Sequence, residues 1–328
     1  MTPTASRRAA LGGLAAALAA PMVATGARPA AAQAAATASN QAPGFYRFKV
    51  SGFTVTTVHD GYFQRPLQGF IRNAPLEEVQ KVLAESFLPT DVFRIPFTLT
   101  VLDTGRQLIV FDSGNGAMPP GATQGKAAEN MRAAGIDPAK VGLVVMSHFH
   151  GDHLGGLLDA SGAAAFPNAE VVVPTTEWKW WSDPGNESRS PEGQRPTFAN
   201  SAKRFAPYKE RIRQIADDAE VVPGVRAVPA FGHTPGHTCY LIADGSEQAM
   251  FVADTTNRPE LLARHPEYHA VSDFDPQTAE TSRRKVYDRV SADRMRITGY
   301  HFPFPANGYM EKEGRGYRFV PADWSSAV

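Results

Sequence analysis

The stretch VGLVVMSHFHGDHLGG (141–156) runs an apolar strand straight into three histidines and one aspartate within six positions. The chain holds only nine histidines in 328 residues, so a third of them stand here. Extended backbone turns alternate side chains to opposite faces, which sends His148 and His150 the same way. Asp152 and His153 follow at the turn after the strand, where a chain reversal aims both inward. Imidazole and carboxylate suit zinc or a similar divalent ion, and one such ion takes about three protein ligands beside an open position. Four donors split between two directions therefore call for two ions. Gly155 and Gly156 permit the close backbone approach that a crowded site needs.

Two ions need further donors, and the ends of other predicted strands supply them. GVRAVPAFGHTPGH (224–237) carries His233 and His237 in a turn, FVAD ends at Asp254, and GYH ends at His301. Spacing alone does not choose between His233 and His237.

The rest of the chain predicts an α+β fold. FYRFKVSGFTVTTVHDG (45–61) reads as two strands about a Ser-Gly turn, and FTLTVLDTGRQLIVFDSGNG (97–116) as a hairpin about residues 103–105. GKAAENMRAAGI (125–136) is a helix stopped by Gly135, and DPQTAETSRRKVYDRVSAD (275–293) is another. LGGLLDA (154–160) has helical spacing, whereas residues 182–196 read as a solvated loop long enough to be a lid. Two β-then-helix halves of similar length imply two sheets face to face with helices outside.

A composition of 43% hydrophobic and 10% aromatic residues is that of a globular chain. The 33 basic and 33 acidic residues balance, which gives no electrostatic case for nucleic acid or an anionic membrane as partner. One cysteine, Cys239, excludes an intramolecular disulfide and reads as a small buried residue. Residues 1–32 hold Arg7, Arg8 and a modest apolar run interrupted by Pro21, and they resemble a twin-arginine export signal cut near Ala32. That predicts a periplasmic or secreted protein without stable membrane insertion. Residues 33–43 read as a loose tether, and 44–328 as the folded domain.

The combination of His148, His150, Asp152 and His153 with the GHTPGH turn, Asp254, His301 and FDSG (111–114) resembles the metallo-β-lactamase superfamily. The resemblance spans nearly all of 44–328. It implies a four-layer αββα sandwich and two divalent ions, zinc foremost, with manganese, cobalt or iron as alternatives. By it, His148, His150 and His233 hold one ion, Asp152, His153 and His301 the other, and Asp254 bridges them. His237 is then not a ligand, and Asp112 stands behind the ligands. A metal-bridging hydroxide would attack the substrate, with Asp152 and Asp254 as its catalytic carboxylates.

Within the superfamily, YHFPFPANG (300–308), the strand-like ending and the exported precursor look most like the methyl parathion hydrolase group and its lactonase relatives. That implies a small-molecule lactone, aryl ester or, alternatively, phosphotriester substrate, and a homodimer. Asn257, three residues past Asp254, stands where the lactonases place a tyrosine and the phosphotriesterases an apolar residue. It can donate to a carbonyl oxygen, which favours a lactone or ester. Trp180, Trp181, Phe198 and Phe302 are candidate pocket aromatics, and Arg72 a candidate site arginine. An iron-dependent oxidoreductase of the sulfur dioxygenase kind uses one metal, and the second ligand set argues against it.

Overall fold

The computed structural model describes residues 41–328; the expected export signal (1–32) and most of the expected tether lie outside them. Strands β1 (Phe45–Val50) and β2 (Phe53–Pro66) form the hairpin read from the sequence, with Ser51 at a φ of 51° in its turn. β3 (Val92–Asp103) pairs antiparallel with β2 and with β4 (Leu108–Phe111). β5 (Val141–Val145), β6 (Glu170–Pro174) and β7 (Ile212–Ile215) continue in parallel, giving a seven-stranded sheet in sequence order. The parallel strands β4 and β5 are buried on both faces, which is why LIVF and VGLVV show no polar alternation.

The second sheet also has seven strands. β8 (Glu220–Val222), β9 (Val225–Pro229), β10 (Thr238–Asp244) and β11 (Glu247–Phe251) run antiparallel, β12 (Arg296–Thr298) lies parallel to β11, and β13 (Asn307–Glu313) and β14 (Gly316–Pro321) complete it. β11 displays the layering in five residues. Ala249 and Phe251 join the core between the sheets with Val55, Phe111 and Tyr240, while Met250 packs into a second core. That second core is completed by Val286, Tyr287 and Val290 of a helix on the outer face (Pro276–Ala292), which Asp275 caps by accepting from Thr278 N–H. The helix Ala127–Ala133 packs on β1 and β2, and Thr175–Ser182 on β6 and β7. The architecture is the four-layer αββα sandwich.

One local expectation changes and another is refined. LGGLLDA contributes only the end of one helical turn (Gly151–Leu154) and a 3-10 turn (Gly155–Leu157), because the chain must press against the segment after β4. A Cβ on Gly156 would overlap the carbonyl oxygen of Ser113, and one on Gly155 that of Asn115. Residues 182–196, between the helices Thr175–Ser182 and Pro196–Phe205, are solvated as expected, all but Asn186, Ser190 and Gln194 being exposed, but they are not irregular. They form 3-10 turns in which buried Asn186 donates to Trp180 O and Ser190 Oγ donates to Asn186 O. Among the described residues no helix is long and apolar enough to cross a membrane.

Candidate functional site

The loops that follow the strands bring the sequence-selected donors together. Asp112 follows β4, His148 and His150 follow β5, and Asp152 and His153 lie on the short helix behind them. From the second sheet come His233 after β9, Asp254 after β11 and His301 after β12. Asp112 and Ala253 carry φ values of 58° and 43°, left-handed backbone at two of these strand ends.

Two groups of donors result. His150 Nδ1 lies 3.1 Å from His148 Nε2 and 3.0 Å from His233 Nε2. Asp152 Oδ2 lies 3.6 Å from His153 Nε2 and 3.5 Å from His301 Nε2. Between them stands Asp254: its Oδ2 is 3.2 Å from His233 and 2.8 Å from His301, and its Oδ1 is 3.1 Å from His153. One carboxylate thus reaches imidazoles of both groups.

The opposite nitrogens of four of these rings are also engaged, which fixes how each of the four presents itself. His153 Nδ1 pairs with Asp112 Oδ2 at 2.7 Å, His233 Nδ1 with Asp273 Oδ1 at 2.9 Å, and His301 Nδ1 donates to Pro96 O at 2.9 Å. Ser147 Oγ donates to Asp112 and therefore accepts from His148 Nδ1. The Nε2 lone pairs of all four rings are left facing the cluster. Tyr300 stacks on the His153 ring at 3.8 Å and donates to Asp152 O, holding the second group from behind. His237 differs: Nδ1 donates to Ala230 O, and Nε2 accepts the Asp254 N–H, so neither nitrogen is free for a ligand's role.

Charge within the cluster follows from this crowding. Burial holds His148 and His150 well below the ordinary imidazole range, with His153 adding repulsion at the first and His233 at the second. Burial opposes charge on His153 too, but Asp254, Asp152 and Asp112 outweigh it and hold that ring well above the range. His233, against burial, is raised to about 9 by Asp254 and Asp273. Burial likewise opposes charge on Asp254, yet His153 and His301 hold it well below the carboxylate range.

The residues fit a cation. His153 Nε2 and Asp254 Oδ1 are buried and make no hydrogen bond although 3.1 Å apart, and such orphaned atoms are rare in a native interior. Zinc with ligand nitrogens at about 2.0–2.1 Å in a tetrahedron spaces those nitrogens roughly 3.3 Å apart, close to the spacing of the three-histidine group. The sets His148–His150–His233 and Asp152–His153–His301 each offer three donor atoms within 4.8 Å of one another. A third combination includes Asp112, whose oxygens are already taken by Ser147 and His153.

The cluster floors a cavity of about 280 Å³, with Asn257, Arg65 and Ser272 at its sides and Phe63, Phe70 and Phe97 as an apolar wall. Of the pocket residues expected from the sequence, Asn257 lines it. The others do not. Trp181 and Phe198 line a separate cavity, where they pack on each other at 4.9 Å. Trp180 packs on Phe274 and lies under Arg189. Phe302 is wholly buried against Phe319 in the outer core, because the chain turns back after His301. Arg72 is exposed and donates to Val271 O. The sequence reading missed Phe70, Phe97, Arg65 and Asp273, which enter from distant strands and loops and share no local spacing with the histidines.

A four-layer sandwich with a buried His/Asp cluster of this kind is that of a metal-dependent hydrolase. The chain belongs to the metallo-beta-lactamase superfamily, whose family model matches residues 98–297. It is 24% identical to the N-acyl homoserine lactonase AiiA of Bacillus thuringiensis subsp. kurstaki over 230 residues, 63% of this chain and 81% of that one. It is 28% identical over 182 residues to the N-acyl homoserine lactonase AttM of Agrobacterium fabrum, covering 52% of this chain and 60% of the relative. Among solved structures, the dizinc quorum-quenching lactonase AidC superposes with a TM-score of 0.81 at 23% identity, covering 86% of this chain and 99% of that one. The hydrolase AbOPH superposes with a TM-score of 0.81 at 26% identity, covering 88% and 100%.

Proposed function

We propose that the chain is a binuclear hydrolase that opens lactones or cleaves small esters. His148, His150 and His233 would hold one divalent ion and Asp152, His153 and His301 a second, with Asp254 in reach of both groups. The observation that carries this is the reach of Asp254 to His233 on one side and to His153 and His301 on the other. Zinc is the expected metal, and its ligand chemistry suits imidazole with carboxylate. Ions held here supply Lewis acidity and an acidified water.

The protein's own groups do the rest. Asp112, Asp273, Ser147 and Pro96 O hold the rings in the tautomer that presents Nε2 inward. Asn257 lines the cavity beside the cluster and offers its amide to the scissile carbonyl oxygen. Asp152 is the more open of the two carboxylates, its side chain 27% exposed against 4% for Asp254, and it takes up the proton that the attacking water gives up and passes it to the leaving alkoxide. Phe63, Phe70 and Phe97 exclude water and receive the hydrocarbon part of the substrate. The lactonase relatives support the lactone reading. We further propose that residues 1–32 direct export.

The test is hydrolysis by zinc-loaded protein of an acyl-homoserine lactone, dihydrocoumarin, an aryl ester, methyl parathion and a cephalosporin, with His150→Ala as control. The reading expects lactone or ester turnover that the variant loses. Turnover of methyl parathion alone would contradict it.

A further inference from the structure

We propose that Glu177 is a positioning residue for the metal cluster: its one carboxylate ties the loop of His148 and His150 to the loop of His233. The inference rests on the metal-binding reading above. Glu177 lies in the helix Thr175–Ser182, is wholly buried, and is not part of the cavity. Its Oε1 accepts from Phe149 N–H at 3.0 Å and from Trp181 Nε1 at 2.7 Å. Its Oε2 accepts from Thr234 Oγ at 2.8 Å and from Gly236 N–H at 2.8 Å.

The partners are what make this more than packing. Phe149 is the residue between His148 and His150, and Thr234 follows His233 directly. Three of the four bonds therefore land on the two segments that carry the three-histidine group, one from each half of the sandwich. Gly236 is required for the contact, since a Cβ there would overlap the backbone of Glu177. Among the described residues no cation pairs with the carboxylate; its four partners are neutral donors. Burial raises its pKa to about 7 against the pull of those four bonds. A buried carboxylate without a counter-ion is costly. A neutral side chain would fill the space, but only an acceptor with two oxygens serves four donors from three segments.

The experiment is chelator competition on zinc-loaded protein, wild type against Glu177→Gln, read as zinc retained per chain, with the visible spectrum of the cobalt-substituted protein as second readout. Glutamine turns an NH₂ towards one pair of donors whichever way it lies, so one loop is released. Folded Glu177→Gln should lose zinc at about 10–100-fold lower chelator, and its cobalt bands should change. Thr234→Val removes a single bond on the His233 side and should shift the midpoint in the same direction by less. If Glu177→Gln does not fold, Thr234→Val carries the test. Whichever variant folds, an unchanged midpoint and cobalt spectrum with only a lower Tm would reduce Glu177 to packing and overturn the proposal. A wild-type protein that takes up no divalent metal overturns the metal reading itself, a separate result.

Discussion

Two cavities flank the segment His148–Phe149–His150, and they are built to opposite rules. On one side His150 joins Asp152, Asp254 and His301 on the floor of the 280 Å³ cavity. On the other, the Phe149 ring lines a cavity of about 510 Å³ with Trp178, Trp181, Phe198 and Phe205. Alternation along extended backbone produces both faces from three residues. The first face crowds donors that repel or lack partners. The second saturates its rings, with Phe149 on Phe205 at 4.7 Å and Trp178 on Phe205 at 5.2 Å. Substitution should therefore cost chemistry on one side and stability on the other.

The sharpest break of that contrast is at Asp254. Asp254→Asn keeps the volume and removes the charge that reaches both histidine groups, so hydrolysis should fall by more than about 100-fold, the upper end for loss of a merely supporting partner. Retained secondary structure by circular dichroism would show that the loss is chemical. On the aromatic side, Phe198→Ala should cost about 3 kcal/mol of stability, measured by urea unfolding of the zinc-loaded protein. Its folded fraction should keep kcat/KM within about twofold. A Phe198 variant as stable as wild type but inactive would reverse the assignment of the two cavities.

A pH effect separates structural histidine from ligand histidine. Burial, with repulsion from His233, lowers the pKa of His237 to about 3. Its folded value lies below the unfolded one of about 6.5, so the stability it contributes is complete above that value and is lost as pH falls towards 3. Metal-depleted wild type should lose Tm across that window, and His237→Gln should flatten the decline. The smallest effect belongs to Arg72. Arg72→Ala removes one exposed side chain outside the cavity, so stability should stay within about 0.5 kcal/mol of wild type and kcat/KM should not change.

The donors were legible because each stands at the end of a strand whose apolar pattern is itself legible, as in VGLVVMSHFH and MFVAD. The sandwich could be read for the same reason: the continuous apolar runs of β4 and β5 are local signals. The cavity wall was not. Phe63 and Arg65 lie late on β2, Phe97 on β3 and Phe70 on a loop, and only long-range pairing brings them to the histidines. Aromatic density in EWKWW drew attention to Trp180 and Trp181, whereas the informative residue of that segment is Glu177, a lone carboxylate with no spacing signature. Phe302 misled through adjacency to His301, since the turn after β12 carries it back into the outer core.

The central claim is that two ions sit about Asp254. The most direct measurement is a zinc titration of metal-depleted protein, following bound zinc per chain and hydrolysis of a lactone in the same samples. The account predicts two zinc ions per chain, with full activity only at the second. Saturation at one ion with full activity, or turnover indifferent to metal, would contradict it.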